Sequence, residues 1–105
     1  MIQYGSVDVR ELKFMNMRST IELRDEQWVD VEVRFDLDAG SELPEELSDL
    51  SALLICTYSG GIAQVVPQDE GRDCEFQFTE SEKEQLRLYY EYEVKPLLLS
   101  KTGVQ

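Results

Sequence analysis

Between Trp28 and Asp38 the apolar residues Val29, Val31, Val33, Phe35 and Leu37 alternate one for one with Asp30, Glu32, Arg34, Asp36 and Asp38. A period of two puts the first set on one side of a pleated strand and the second on the other. On a helix the same residues would be scattered around the circumference and several carboxylates would be buried. The valines also suit a half-buried pleated surface. This segment therefore commits the chain to a sheet with one packed face and one wet face, and the remaining sequence must supply both neighbouring strands and a cover.

Upstream, Val7 and Val9 share one parity and Leu12 and Phe14 the other, so a bulge near Arg10 and Glu11 is expected to bring all four to one side. Met15 and Met17 would then face away from Phe14. A short strand is expected at Thr20 to Arg24, with Asp25 and Glu26 as the turn before Trp28. From Ser41 to Tyr58, leucines at helical spacing run into a continuous apolar stretch. A helical turn opened by Pro44, Glu45 and Glu46 and followed by a buried strand at about Ala52 to Ser59 fits both patterns. Gly60 and Gly61 suit a tight hairpin or a glycine bulge, with Ile62 to Val66 returning until Pro67 removes a ladder donor. Gln68 to Asp73 reads as a turn, and Cys74, Phe76 and Phe78 as a last strand.

The period then changes. Thr79 with Glu82, or Ser81 with Glu84, has the spacing of a capping box. Leu86, Tyr89, Tyr90, Val94 and Leu97 form one stripe of a long C-terminal helix, which Pro96 should kink or end, with Leu97 to Leu99 as a final turn and Ser100 to Gln105 as a frayed tail. The expected fold is α+β: a single domain, 1–105, with an antiparallel sheet of four to six strands followed by one long helix.

Charge and chemistry narrow the function. With 22 acidic against 10 basic residues the formal net charge is −12, which argues against surfaces for nucleic-acid phosphate or anionic lipid. A charged partner is expected to be a basic protein. The small core invites a homo-oligomer. No apolar stretch approaches bilayer length and Met1 to Glu11 lacks an export signal, so the cytoplasm is expected, with Cys56 and Cys74 as free thiols. The chain has no histidine, and neither cysteine nor any serine sits in a nucleophile motif. Asp36 to Ser41 fails as a calcium loop, Gly60 and Gly61 fail as a phosphate loop, and Tyr89, Tyr90 and Tyr92 lack the cations of a base-stacking site. No enzyme activity, cofactor or metal is expected. The acidity is concentrated: from Asp25 to Asp49 only Arg34 is basic. That face could steer a basic partner, including as a decoy that mimics nucleic-acid charge.

VDVRELKFMN, with Val7, Val9, Arg10, Leu12, Phe14 and Asn16, resembles the first strand of the SecB export-chaperone family. Trp28 followed by VDVEVRFDLDAGSELPEEL resembles its second strand and following loop, Gly60-Gly61-Ile62 its last strand, and the C-terminal amphipathic helix its helix. The spacing from the second strand to Gly60 is shorter than in the family, and its second helix and basic tail have no counterpart here, which leaves two readings open, a link to protein export and the holding of one specific client. The resemblance implies an oligomer that holds unfolded polypeptide against apolar grooves. It implies an acidic partner face at Asp30, Glu32, Asp36 and Asp38. Phe14, Met15, Met17, Trp28 and Tyr58 are the candidate client contacts, chosen because methionines and aromatics suit promiscuous surfaces.

Overall fold

The computed structural model describes residues 1–3, 5 and 9–103. Five strands form an antiparallel meander in the order β2 (Phe14–Leu23), β3 (Trp28–Leu37), β4 (Leu50–Thr57), β5 (Ile62–Asp69) and β6 (Arg72–Asp73). A separate two-stranded sheet pairs β1 (Ile2–Gln3) with β7 (Phe76–Gln77). One helix completes the chain, made of α1 (Glu80–Tyr89), a π-helical turn (Tyr90–Val94) and α2 (Lys95–Thr102). The fold is α+β, as the change of period indicates.

β3 behaves as its alternation requires. Val29, Val31 and Val33 are completely buried and lie opposite Cys56, Leu54 and Ala52 of β4, which are buried too. Leu86, Tyr90, Val94 and Leu98 of the helix complete this core. At the other end Phe14 stacks on Phe35, with ring centroids 4.1 Å apart, and meets Phe78 edge-on at 6.0 Å.

The structure corrects several local expectations. Val7 lies outside the described residues, but the bulge falls later than Arg10 and Glu11. The β2–β3 register shifts between Met15 and Arg18, where Asn16 takes a positive φ of 51°. The extra residue returns Met17 to the core side and lets the expected Thr20–Arg24 segment continue β2 as one strand. No helix forms between Ser41 and Ser51. Leu47 N donates to Pro44 O at 3.0 Å for a single turn, and then Asp69 Oδ1 accepts from Ser48 N (3.0 Å) and Asp49 N (2.7 Å), diverting the backbone into β4. Gly60, at φ 94°, turns a hairpin closed by Thr57 N to Gly61 O at 2.8 Å, while a register shift at Ile55/Cys56 adds a bulge beside it.

Pro67 does not end β5. Its carbonyl accepts from the Cys74 thiol at 3.6 Å, on the side away from β4. The missing N–H therefore falls on the unpaired edge, where no ladder bond is lost. Pro96 does not end the helix either. Lys95 N reaches back five residues to Tyr90 O, and this wider turn absorbs the proline. The wide turn also rotates α2 relative to α1, so Leu98 is buried and Leu97, expected in the stripe, is exposed. The helix runs on to Thr102, whose hydroxyl donates to Tyr58 O at 3.0 Å, and stops at Gly103 in the left-handed conformation. Of the expected tail, Val104 and Gln105 lie outside the described residues.

The capping box forms at Thr79 rather than Ser81: Glu82 N donates to Thr79 Oγ1 (3.2 Å) and Thr79 N donates to Glu82 Oε1 (2.9 Å). Glu82 is fully buried, and its second oxygen accepts from Leu12 N at 2.8 Å and from the Met1 amino group at 2.6 Å. One turn further along the helix, Gln85 accepts from Phe14 N and donates to Leu12 O, both at 2.8 Å. Truncation as Glu82→Ala strands these donors, and a loss of about 3 to 5 kcal/mol is expected in denaturant unfolding. Glu82→Gln, which keeps an acceptor for Thr79 N, should lose less.

Candidate functional site

One face of the sheet is covered by the helix. The other carries Asp30, Glu32, Arg34 and Asp36 of β3, Leu53 and Ile55 of β4, Val66 of β5, and Arg18, Thr20 and Glu22 of β2. Asp30, Glu32 and Asp36 thus share the face that the sequence assigns them. Each also meets an arginine: Arg24 at 2.8 Å, Arg34 at 3.1 Å and Arg18 at 3.5 Å respectively, with Arg34 bridging on to Asp49 at 3.3 Å. Arg18 and Arg24 come from the β2 side, outside the stretch whose acidity is conspicuous in the sequence. Folding therefore lays a lattice of opposite charges over this face. Asp38 is not part of it. The strand ends at Leu37, Asp38 N donates to Lys13 O at 3.0 Å, and its carboxylate accepts from Gly40 N in the following turn.

The five aromatic and methionine candidates do not form one surface. Phe14 is a core residue, only 6% exposed, which removes it from any client contact. Met15 is exposed at the bulged end of β2, opposite Asp36, and Met17 is half-buried against the core. Trp28 and Tyr58 lie at the opposite end of the sheet. There Asp25 Oδ1 accepts from Gln27 N and Trp28 N, both at 2.8 Å, which holds the Asp25 carboxyl below its ordinary value, and the Tyr58 hydroxyl donates to Asp25 O. Tyr58 and Asp25 line a shallow open depression there, together with Leu23, Glu26 and Gln27.

The better formed concavity is a groove of about 700 Å³ along the edge of β5. β6 pairs only with Gln68 and Asp69, so the segment from Ile62 to Pro67 is paired with β4 on one side and has no strand on the other. Across the gap run Cys74, Phe76 and Phe78, with Phe76 and Phe78 nearly buried as its floor and Lys83 of α1 at its rim. The walls mix apolar and polar side chains: Ile62, Ala63, Val65 and Pro67 with Gln64 on one side, the phenylalanines with Asp73, Gln77 and Lys83 on the other. Six residues of strand at about 3.3 Å each give a trough of about 20 Å, the length of an extended hexapeptide. None of these residues is among the sequence-derived site candidates. The signal for them is Pro67 itself, since a proline inside a strand-like run marks an unpaired edge.

No family model, curated protein or solved structure matches this chain. Among the described residues no cluster of three or more histidine, cysteine or carboxylate side chains could hold a metal ion. Among them, too, no helix is long and apolar enough to cross a membrane.

The two thiols are free and differ in setting. Burial pushes Cys56 up from 9.0 to about 11, while Cys74 in the groove wall is half-buried and raised less, again by burial. Alkylation at pH 8 is therefore expected to label Cys74 and spare Cys56 in the native protein, read by mass spectrometry. The folded state also holds the Cys56 proton where the unfolded chain releases it. That contribution to stability is complete below about pH 9 and is lost as pH rises through about 11. Tyr90, raised from 10.0 mainly by burial, acts in the same direction. Denaturation midpoints measured from pH 8 upward should fall, and more gently in Cys56→Ala.

Proposed function

We propose that this protein is a non-enzymatic, SecB-like holding protein that keeps short extended segments of non-native polypeptide in the β5 groove. The observation that carries the reading is the groove itself: a trough with aliphatic, aromatic and polar walls, of a length suited to an extended segment, beside the open outer edge of β5. Side chains of the client would enter between Val65 and the phenylalanine floor, and backbone polar groups of β5 are at hand for strand addition. The net charge of −12 keeps the loaded protein dispersed and favours basic clients by long-range attraction. On this reading the protein works in the cytoplasm, where Cys56 and Cys74 stay reduced. A decoy for nucleic acid requires a row of unopposed carboxylates, whereas Asp30, Glu32 and Asp36 of β3 each face an arginine; polypeptide holding is the better supported function.

Dilution of a chemically unfolded client into buffer is expected to scatter less light when the protein is present in molar excess. An apolar hexapeptide should bind with a Kd of about 10 µM to 1 mM and shield Cys74 from alkylation. Val65→Glu or Ala63→Glu should weaken both effects about tenfold or more while leaving the circular dichroism unchanged. Equal aggregation with and without the protein would refute the proposal.

A further inference from the structure

The two ends of the β5 groove carry opposite charge. β5 and the segment after β6 leave the Glu70-Gly71 turn side by side: Gln68 pairs with Asp73, and the Cys74 thiol donates to Pro67 O at 3.6 Å. The same count sets Phe76 across from Val65 and Phe78 across from Ala63, where the two segments have parted to form the trough. Thr79, the cap of α1, follows Phe78, and Lys83 N donates to Thr79 O at 2.9 Å, so Lys83 stands one turn above the Phe78 end. Its Cα–Cβ bond tilts back toward the helix start, which carries the side chain to the groove it lines. Among the described residues that line the groove, Lys83 is the only cation and Asp73 the only carboxylate. The hairpin that closes the Asp73 end sets Asp69, Glu70 and Asp73 against Arg72 alone. The ion pair of Lys83 with Glu80 is long, 3.7 Å, and the Glu80 side chain is 94% exposed. Water screens such a pair, which leaves the ammonium able to take a better placed acceptor.

We propose that Lys83 is a carboxylate-binding position that orients the held segment: the client lies antiparallel to β5, with a carboxylate at its C-terminal end on the Lys83 ammonium. This inference rests on the groove holding polypeptide, and adds which segments it takes and in which direction. The backbone sets the direction. Pro67 turns its carbonyl to the groove and Asp69 turns outward to close the hairpin with Arg72, so by alternation Val65 presents both its N–H and its C=O there. One client residue exchanges both bonds with Val65 only in antiparallel pairing, and Pro67 has no N–H with which to extend the exchange. β5 runs from Ile62, at the Lys83 end, toward the acidic hairpin. An antiparallel segment therefore starts at the hairpin and finishes at Lys83. The charges agree: a client carboxylate is repelled at Asp69 to Asp73 and attracted at Lys83, beside phenylalanines where screening by water is weaker. Val65 lies opposite the buried Leu54, on the face toward the helix. The client residue paired with Val65 and the one two places later point the same way, over Phe76 and Phe78, so apolar side chains belong at both. The carboxylate is then the chain terminus of the second, or an acidic side chain just after it.

The probes are N-acetylated hexapeptides of alternating threonine and leucine, ending on leucine, titrated into the full chain and followed by NMR chemical shifts. The free acid is expected to bind about three- to tenfold tighter than the C-terminal amide. Lys83→Met should abolish that preference and leave the affinity for the amide within about twofold, whereas Lys83→Arg should keep the preference. Adding a glutamate after the last leucine of the amide assigns the source of the carboxylate: a recovered gain admits acidic side chains, and no gain restricts the site to chain ends. A glutamate added before the first threonine should give no gain. Equal affinity for acid and amide overturns the inference, as does a preference that survives Lys83→Met or a gain from the N-terminal glutamate. An amide peptide that binds, and is weakened by Val65→Glu, with no preference for the acid refutes the role of Lys83 and keeps the holding function. Absence of binding by every peptide refutes both.

Discussion

The carboxylate of Glu82 is the point on which the rest of the architecture rests. It accepts from the helix's own cap, from the backbone before β2 and from the Met1 amino group, all within one buried site. A buried charge is tolerable only when its lone pairs are met, and here they are met by donors from different parts of the chain. The same contacts fix where the helix starts relative to the sheet. That origin sets the positions of Leu86, Tyr90, Val94 and Leu98 over the valines of β3. Gln85 extends the arrangement, so two side chains of α1 perform for Leu12 and Phe14 what a neighbouring strand would do.

With one helix available, only one face of the five-stranded sheet is sealed, and both edges need separate treatment. Long side chains and opposed charges make the open face of β3 compatible with water; Asp30, Glu32 and Asp36 are ion-paired with Arg24, Arg34 and Arg18. At β5 the edge is blunted by Pro67 and hollowed into a trough. At β2 it is covered for the first residues and bare for the rest. These differences divide the molecule into regions of distinct chemical availability, and both proposals concern the β5 edge, where backbone and apolar surface are left without a partner.

Much of the fold is legible in the sequence wherever a periodic pattern meets a single structural solution. The alternation at Trp28 to Leu37 allows only a half-buried strand, and the two capping-box pairs, Thr79 with Glu82 and Ser81 with Glu84, bracket the helix start, which the structure places at Thr79. Legibility fails where a distant residue decides local structure. Pro44 to Leu50 has leucines at helical spacing, but Asp69 on another strand captures the amides that a helix would use. Pro67 and Pro96 are breakers by local rule, yet one sits on an edge and the other comes after a wide turn. The acidic stretch is visible in the sequence and its neutralisation is not, because Arg18 and Arg24 reach it only through strand pairing. Phe14, which the sequence aligns with Leu12 and also offers as a client contact, is stacked in the interior.

The π-helical turn at Tyr90 to Val94 has a wider meaning for the chain. Glu82, Leu86, Tyr90, Val94 and Leu98 recur strictly every fourth residue, a spacing that an ideal α-helix rotates by about 40° at each step. Left uncorrected, the last of them would swing to the helix flank. The wide turn gives that rotation back midway, so the row stays aligned with the flat target beneath it. It works as a vernier between two repeats that do not match, the pleat of the sheet and the winding of the helix. A change of chain length by one residue there would leave every contact before Tyr90 in place and re-aim everything after it.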